Sequence, residues 1–170
     1  MRNTNFPRAQ ARRALTAVAF VAALMLCSQA ASAASWKGLE PFVSKRADVE
    51  RVLGTPVADR MAEQGKLDFN VSGGTVSIFF VTPKFVAAKR LSPALEGTVL
   101  QIVLQHTNAS DTPESLNLVK NDDYERQAKA PVEVYTNARE GIIYTFIDSK
   151  LKTTRYSYST EQLARIQRGK

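Results

Sequence analysis

The sequence predicts an α+β domain in which short helices pack on one face of an antiparallel sheet of about six strands. Segments rich in β-branched and aromatic residues recur along the chain. Most of their connections are short and contain turn residues, as in SGG (72–74), AREG (138–141) and DSK (148–150), which favours hairpins. Two short segments with apolar residues at helical spacing flank the strands in sequence.

Residues 1–33 are predicted to be a secretory signal peptide. Four arginines and no acidic residue accompany an apolar run from Leu15 to Leu26, which ends in the small residues of SQAASAAS. We expect cleavage after Ala33, which leaves residues 34–170 as a single domain in the periplasm or outside the cell. The apolar run is shorter than a membrane-spanning helix, so no span is expected after cleavage, although an uncleaved anchor is the alternative.

The only cysteine, Cys27, lies in this leader. It is either removed with the leader or lipidated, because LMLC resembles a lipobox. Removal excludes disulfides, thiolate metal sites and a cysteine nucleophile. Loss of the leader's four arginines also lowers the formal net charge from +7 to +3. That charge supplies no concentrated basic patch, so we expect no nucleic-acid partner.

The first helix is predicted from Val43 to Leu53, with Val49, Val52 and Leu53 on one buried face and Ser44 as its N-cap. Gly54 suits a left-handed residue after the helix, and Pro56 ends it. A second helix, TEQLARIQR (160–168), is predicted to be capped by Thr160.

The segments between the helices supply the strands. The stretch from 83 to 97 is predicted to be a connection, and residues 115–126 to hold one or two helical turns. The predicted strands are LDFNV (67–71), TVSIFFVT (75–82), TVLQIVLQ (98–105), VEVYTN (132–137), GIIYTFID (141–148) and LKTTRYSYS (151–159).

Two stretches of sequence carry a resemblance to a known group of proteins. The chain resembles small exported bacterial proteins of unknown function that share an Arg-x-Asp-Val-x-x-x-Leu-Gly-x-Pro stretch after a tryptophan. The chain departs from that pattern at Ser149, where a glycine is expected after Asp148. The matching residues are Trp36, Arg46, Asp48, Val49, Leu53, Gly54 and Pro56, and later Tyr135, Asn137, Gly141 and Ile142.

The helix, Leu-Gly-x-Pro and strand succession also resembles the small lipoprotein subunit of the outer-membrane β-barrel assembly machinery and its relatives. Those proteins act by surface contact and not by catalysis, so this resemblance implies a binding protein. It concerns the architecture, since Leu-Gly-x-Pro is a common helix ending.

Four tyrosines of the predicted last strands form a candidate binding surface for a sugar, a peptide or a partner protein. They are Tyr135, Tyr144, Tyr156 and Tyr158. If their face of the sheet is exposed, the rings provide an adhesive platform. If it is covered, they are core and cross-strand pairs.

The single histidine, His106, is the candidate base of a hydrolase. Thr107, Ser110 and Asp111 follow it, but no nucleophile-elbow motif accompanies it, and an ordinary histidine at a strand end is the alternative.

Two charged stretches have weaker functional interpretations. The acidic cluster Asp122, Asp123 and Glu125 lacks the spacing of a calcium loop. The basic segment from Lys84 to Arg90 is a solvated loop or, together with the basic tail RIQRGK (165–170), a binder of anionic envelope polymers. No cofactor is expected. The leading hypothesis is a non-catalytic binding or scaffold module of the cell envelope, whose partner is an envelope protein or a cell-surface polymer.

Overall fold

Eight antiparallel strands form a single sheet in a computed structural model that describes residues 34–169. The order across the sheet is β1-β2-β3-β4-β8-β7-β6-β5. The strands are β1 (Ala58–Arg60), β2 (Lys66–Val71), β3 (Gly74–Phe80), β4 (Val99–His106), β5 (Glu125–Lys129), β6 (Val132–Asn137), β7 (Ile142–Ile147) and β8 (Lys150–Ser157). The helices are α1 (Arg46–Leu53), α2 (Met61–Gln64), α3 (Pro83–Lys89) and α4 (Thr160–Arg168), with a 3₁₀ turn at Pro93–Leu95.

The α+β class is confirmed, whereas the count of about six strands is wrong because the two edge strands were missed. Strand β1 has three residues, and all five residues of β5 are exposed, so neither shows an apolar alternation. Residues 115–126 contain no helix, and β5 begins at Glu125. The predicted leader and Cys27 lie outside the described residues.

The helix ends differ from those predicted. Helix α1 begins at Arg46, where the Asp48 carboxylate accepts a hydrogen bond from the Lys45 N–H (2.9 Å). The Ser44 hydroxyl instead accepts from the Glu40 N–H. In α4 the N-cap is Ser159, whose hydroxyl accepts from the Gln162 N–H, so the predicted cap is one residue too late.

The segment from 83 to 89, predicted as a connection, is helix α3. Its N-cap is Thr82, whose hydroxyl accepts from the Phe85 N–H at 3.2 Å. Pro83 occupies the first helical turn, where its missing N–H and fixed φ are tolerated.

The first face of the sheet, defined as the one carrying Val76 and Ile78, holds the main core. Alternate residues of β2, β3 and β4 point to this face and are almost fully buried. Leu39 and the α1 residue Val49 cover them. On α1 the predicted apolar face is only partly buried, because Val52 is 40% exposed.

Two further clusters complete the core. Tyr135 and Phe146 meet edge to face, with ring centres 5.7 Å apart, and pack with Leu118 and Leu151. Phe42 stands at the centre of the other cluster, which gathers residues of α3 and α4 where β3 ends and β4 begins. The prediction that helices pack on one face of the sheet therefore holds for α1, whereas α3 and α4 pack at an end of the sheet.

The second face of the sheet is partly exposed. Its central side chains include Val103, Val134 and Ile143, which belong to none of the three clusters found among residues 34–169. The sheet therefore has one packed face and one whose central side chains are only partly buried.

Candidate functional site

A row of directly opposed residues crosses the first face from a dry core to a polar region. Its order is Phe69, Val76, Leu104, Thr154, Tyr144, Tyr135 and Arg126, taken from seven neighbouring strands. The change from apolar to polar side chains falls between β4 and β8. Partly exposed aromatic groups gather at this boundary, and it is the candidate site.

The aromatic patch is defined as Tyr124, Tyr144, Tyr156 and His106, each of which is partly exposed. Tyr144 and Tyr156 come from neighbouring strands of the sheet. Tyr124 precedes β5, and its ring centre lies 5.9 Å from that of Tyr144. The patch thus combines two strands, a strand end and the loop that covers the second half of the sheet.

The phenols of the patch keep their protons. Burial raises the pKa of Tyr124 to about 12, and the nearby Tyr144 and Glu140 act in the same direction. Burial also raises the pKa of Tyr144 and of Tyr156. Asn137 and Tyr144 both lie beside the Tyr124 hydroxyl. Neutral phenols both donate and accept hydrogen bonds, so the patch can contact a polar ligand without carrying charge.

His106 is held by a residue of β8. Its Nε2 lies 2.9 Å from the Thr154 hydroxyl, which is 4% exposed. Burial lowers the pKa of His106, and the charge of Asp111 opposes that effect. A neutral imidazole bound to a buried hydroxyl is a positioned hydrogen-bonding group. Among residues 34–169 the side-chain hydrogen-bond partner of this ring is Thr154, which is buried.

A pocket of about 200 Å³ adjoins the patch and shares His106 with it. Trp36, Lys37 and the turn between β2 and β3 form its other walls. The Lys37 Nζ lies 5.3 Å from the centre of the Trp36 ring, within the range of a cation–π contact. The pocket, called here the hairpin pocket, adds an indole and a cation to the phenols of the patch.

The structure separates the four tyrosines that the sequence grouped as one surface. Tyr144 and Tyr156 lie in the aromatic patch, but Tyr135 is 2% exposed and belongs to the core, so it cannot form an exposed platform. Tyr158 follows β8 and stacks on Phe42 at 5.0 Å, in a different cluster. Tyr124 was missed because it stands in an irregular loop without periodicity.

The first stretch of the resemblance has a structural role here. Trp36 and Leu53 pack on the main core around buried Val49, and Arg46 joins α1 to β1 through Asp59 at 2.8 Å. One helix and its attachment to the sheet therefore account for the predicted motif residues, which are Trp36, Val49, Leu53, Gly54 and Pro56.

The glycine of that motif differs from the prediction in its backbone. Gly54 has φ 81° and ψ −149°, so its φ is positive but its ψ is not that of the left-handed helical region. This combination is almost restricted to glycine. The Val57 N–H then donates to the Asp68 carbonyl, so the turn leads directly into pairing with β2.

The second stretch of the resemblance forms the turn between β6 and β7. The Asn137 side chain accepts from the Glu140 N–H at 3.0 Å, and its carbonyl accepts from the Gly141 N–H. Asn137 also lies beside the Tyr124 phenol, so this turn adjoins the aromatic patch.

The remaining charged candidates stay apart from the patch. Asp122, Asp123 and Glu125 are exposed, and within residues 34–169 no group of three or more His, Cys, Asp or Glu side chains is placed to hold a metal ion. Lys84, Lys89 and Arg90 are exposed on α3 and at its end. No helix in the described part of the chain is long and apolar enough to cross a membrane.

Comparison with known proteins supports the fold alone. No family model and no curated protein matches the chain. It is similar to the crystal structure of a DUF4309 family protein, YjgB, from Bacillus subtilis, with a TM-score of 0.50 and 13% sequence identity. The likeness covers 72% of this chain and 84% of that chain. At this identity it supports the α+β architecture and says nothing of a ligand.

Proposed function

We propose that this chain is an exported, non-catalytic binding module of the cell envelope, and that its binding site is the aromatic patch with the hairpin pocket. The observation that carries the proposal is that three partly exposed phenols lie on the same sheet face as His106, which also lines the hairpin pocket with Trp36.

The chemistry of these groups favours a neutral or weakly charged partner with both apolar and hydroxyl or amide surfaces. Aromatic side chains bury large areas on binding, and their polar tips still accept directional hydrogen bonds. Such surfaces suit a cell-surface polymer or an exposed segment of an envelope protein. The two classes share this chemistry and are separated by the experiment below.

Site-specific photocrosslinking in growing cells tests the proposal. A photoreactive phenylalanine analogue at Tyr156 is expected to capture a partner, because this ring lies in the patch and is partly exposed. The matched control carries the analogue at Val119, an exposed apolar residue in the loop before β5. Mass spectrometry of the product distinguishes a protein from a glycan. Equal labelling from both positions, or none from Tyr156, would count against the proposed site.

Salt dependence separates this site from the basic segment on α3. Binding through neutral aromatic groups should change little as the ionic strength rises, because screening acts on charges. Binding of an anionic polymer through Lys84, Lys89 and Arg90 should weaken steeply under the same conditions. Retention of the captured partner across a salt series therefore decides between the two surfaces.

A further inference from the structure

Strand β5 forms one edge of the sheet. It pairs with β6 on one side, and no strand from the described residues pairs with its other side. All five of its residues are exposed. The backbone N–H and C=O groups of such an edge are a template for pairing with another strand.

The order of charges on β5 identifies the strand that fits this edge. The strand reads Glu125, Arg126, Gln127, Ala128, Lys129, with an acid at one end and a base at the other. When two copies pair antiparallel with their Gln127 residues directly opposite, Glu125 of each copy lies opposite Lys129 of the other. We propose that β5 is a self-association edge through which two copies of this chain join their sheets in this register.

The neighbouring symmetric registers lack this complementarity. Pairing centred on Arg126 places two guanidinium groups directly opposite each other, and pairing centred on Ala128 leaves Glu125 without a cation opposite. A register whose symmetry axis falls between two residues is also unsuitable. It would place N–H and C=O groups that point outward opposite groups that point toward β6, so a regular ladder could not form. Opposite charges across a strand pair stabilise it and like charges destabilise it, so the register about Gln127 is favoured.

The remaining charge of β5 is already balanced within the chain. The Arg126 guanidinium donates to the Glu133 carboxylate of β6 at 2.9 Å. In the proposed register Arg126 faces the small Ala128 of the second copy, which leaves room for this ion pair. The Gln127 amide donates to the Glu125 Oε1 at 3.1 Å. A carboxylate has two acceptor oxygens, so Glu125 can also bind Lys129 of the second copy.

The opposite edge of the sheet is less suited to the same role. Strand β1 has three residues, and Asp59 in its centre is bound by Arg46 of α1. A short, tethered edge limits the number of new backbone hydrogen bonds. Two copies joined at β5 would thus form a closed pair and not an extending fibre.

Disulfide trapping tests the register in the full chain with Cys27 replaced by Ser. In Gln127→Cys, the two thiols of a pair lie directly opposite, at a Cα separation of about 4.5–5.5 Å that a disulfide can span. Mild oxidation should give a covalent dimer. The control Val119→Cys presents an equally exposed thiol on a loop and should crosslink only by random collision. A Gln127→Cys rate no higher than that of the control would overturn the proposal.

Charge reversal in the Gln127→Cys background tests the complementarity itself. Glu125→Lys and Lys129→Glu each create two like-charge pairs, and each should lower the yield of dimer by on the order of tenfold. A mixture of the two variants restores acid opposite base and should form the mixed dimer preferentially. A yield of covalent dimer that is unchanged by these charge reversals would also overturn the proposal. The inference stands apart from the proposed function, since none of these variants touches the aromatic patch.

Discussion

The two halves of the first sheet face share one continuous strand register but differ in the side chains they carry and in how deeply these are buried. Along the row that crosses the sheet, Phe69 and Val76 belong to a dry core, whereas Tyr144 lies in a partly exposed patch. The backbone pairing is the same throughout, so the difference comes entirely from the side chains and from what covers them. The sheet thus supplies a rigid frame in one half and a polar aromatic surface in the other.

The second half remains ordered because its polar atoms are satisfied locally. The Tyr135 hydroxyl donates to the Glu133 carboxylate at 3.3 Å, and the Asn137 side chain accepts from the Glu140 N–H. A buried hydroxyl without a partner would cost a large part of the gain from burying its ring. These bonds hold the polar groups of the second half in place, while Leu118 of the loop before β5 packs on the buried rings.

The largest effect expected from this comparison follows removal of a ring from the dry half. Phe69→Ala should lower the free energy of unfolding by about 3–5 kcal/mol, because Phe69 is 1% exposed and a cavity would remain. Urea denaturation monitored by circular dichroism measures the change. The control Phe79→Ala removes a partly exposed ring from the second face and should cost less. Equal losses for the two variants would contradict the assignment of a packed and a partly exposed face.

A smaller loss is expected where β7 approaches β8 in the polar half. Gly141 has φ 76°, and a Cβ there would lie 2.2 Å from the Ser157 carbonyl oxygen. Gly141→Ala should therefore destabilise the protein by at least about 2 kcal/mol, since the steric clash adds to the cost of a positive φ. In the other half, Gly73→Ala tests the cost of a positive φ alone, because no atom lies within 4 Å of its Cβ position. The same chemical denaturation series compares the two, and a larger loss for Gly73→Ala would show that this contact is absent.

A gain of stability is expected at the turn between β7 and β8. Asp148 and Ser149 have φ 49° and 57°, the conformation that two-residue hairpins favour and that glycine adopts most easily. In the turn between β2 and β3 the positive φ, 87°, is at Gly73, whereas here a serine has one. Ser149→Gly should raise the free energy of unfolding by about 0.5–1.5 kcal/mol. Thermal and urea unfolding measure it, and a loss of stability would show that the serine side chain makes a contact worth more than the strain.

The parts of the fold that the sequence predicts well are those with periodic burial. Strand β3 alternates strictly between buried and partly exposed residues, and its position was predicted to within one residue at its first end. Strand β5 has no buried residue, so its pairing depends on β6 and leaves no trace in its own sequence. Helix α3 did carry a signal, because Thr82 followed by Pro83 is a common helix beginning that the connection hypothesis overlooked.

The candidate site could be predicted only in part. Alternation within the last strand places Tyr156 and Tyr158 on one face, but it does not reveal that the loop before β5 covers Tyr135 and leaves Tyr144 and Tyr156 partly exposed. Tyr124 joins the patch through a contact between distant segments, which a single sequence does not encode locally. His106 was recognised as a candidate for catalysis, and the structure gives it a hydrogen-bonding role beside buried Thr154.

The smallest expected effect concerns the protons of the polar half. The pKa of Tyr124 is raised from 10.0 to about 12 by burial. Between these values the unfolded chain loses the phenolic proton while the folded chain keeps it, so the free energy of unfolding falls as the pH rises through this window. Tyr124→Phe removes this contribution and should make the fall shallower, although Tyr144 and Tyr156 still contribute in the same direction. Phenolate absorbance of the folded protein and urea unfolding across the same window measure both sides of this linkage. An unchanged pH dependence in Tyr124→Phe would mean that this ring is solvated, and that the polar half is open where the structure places a packed contact with Tyr144.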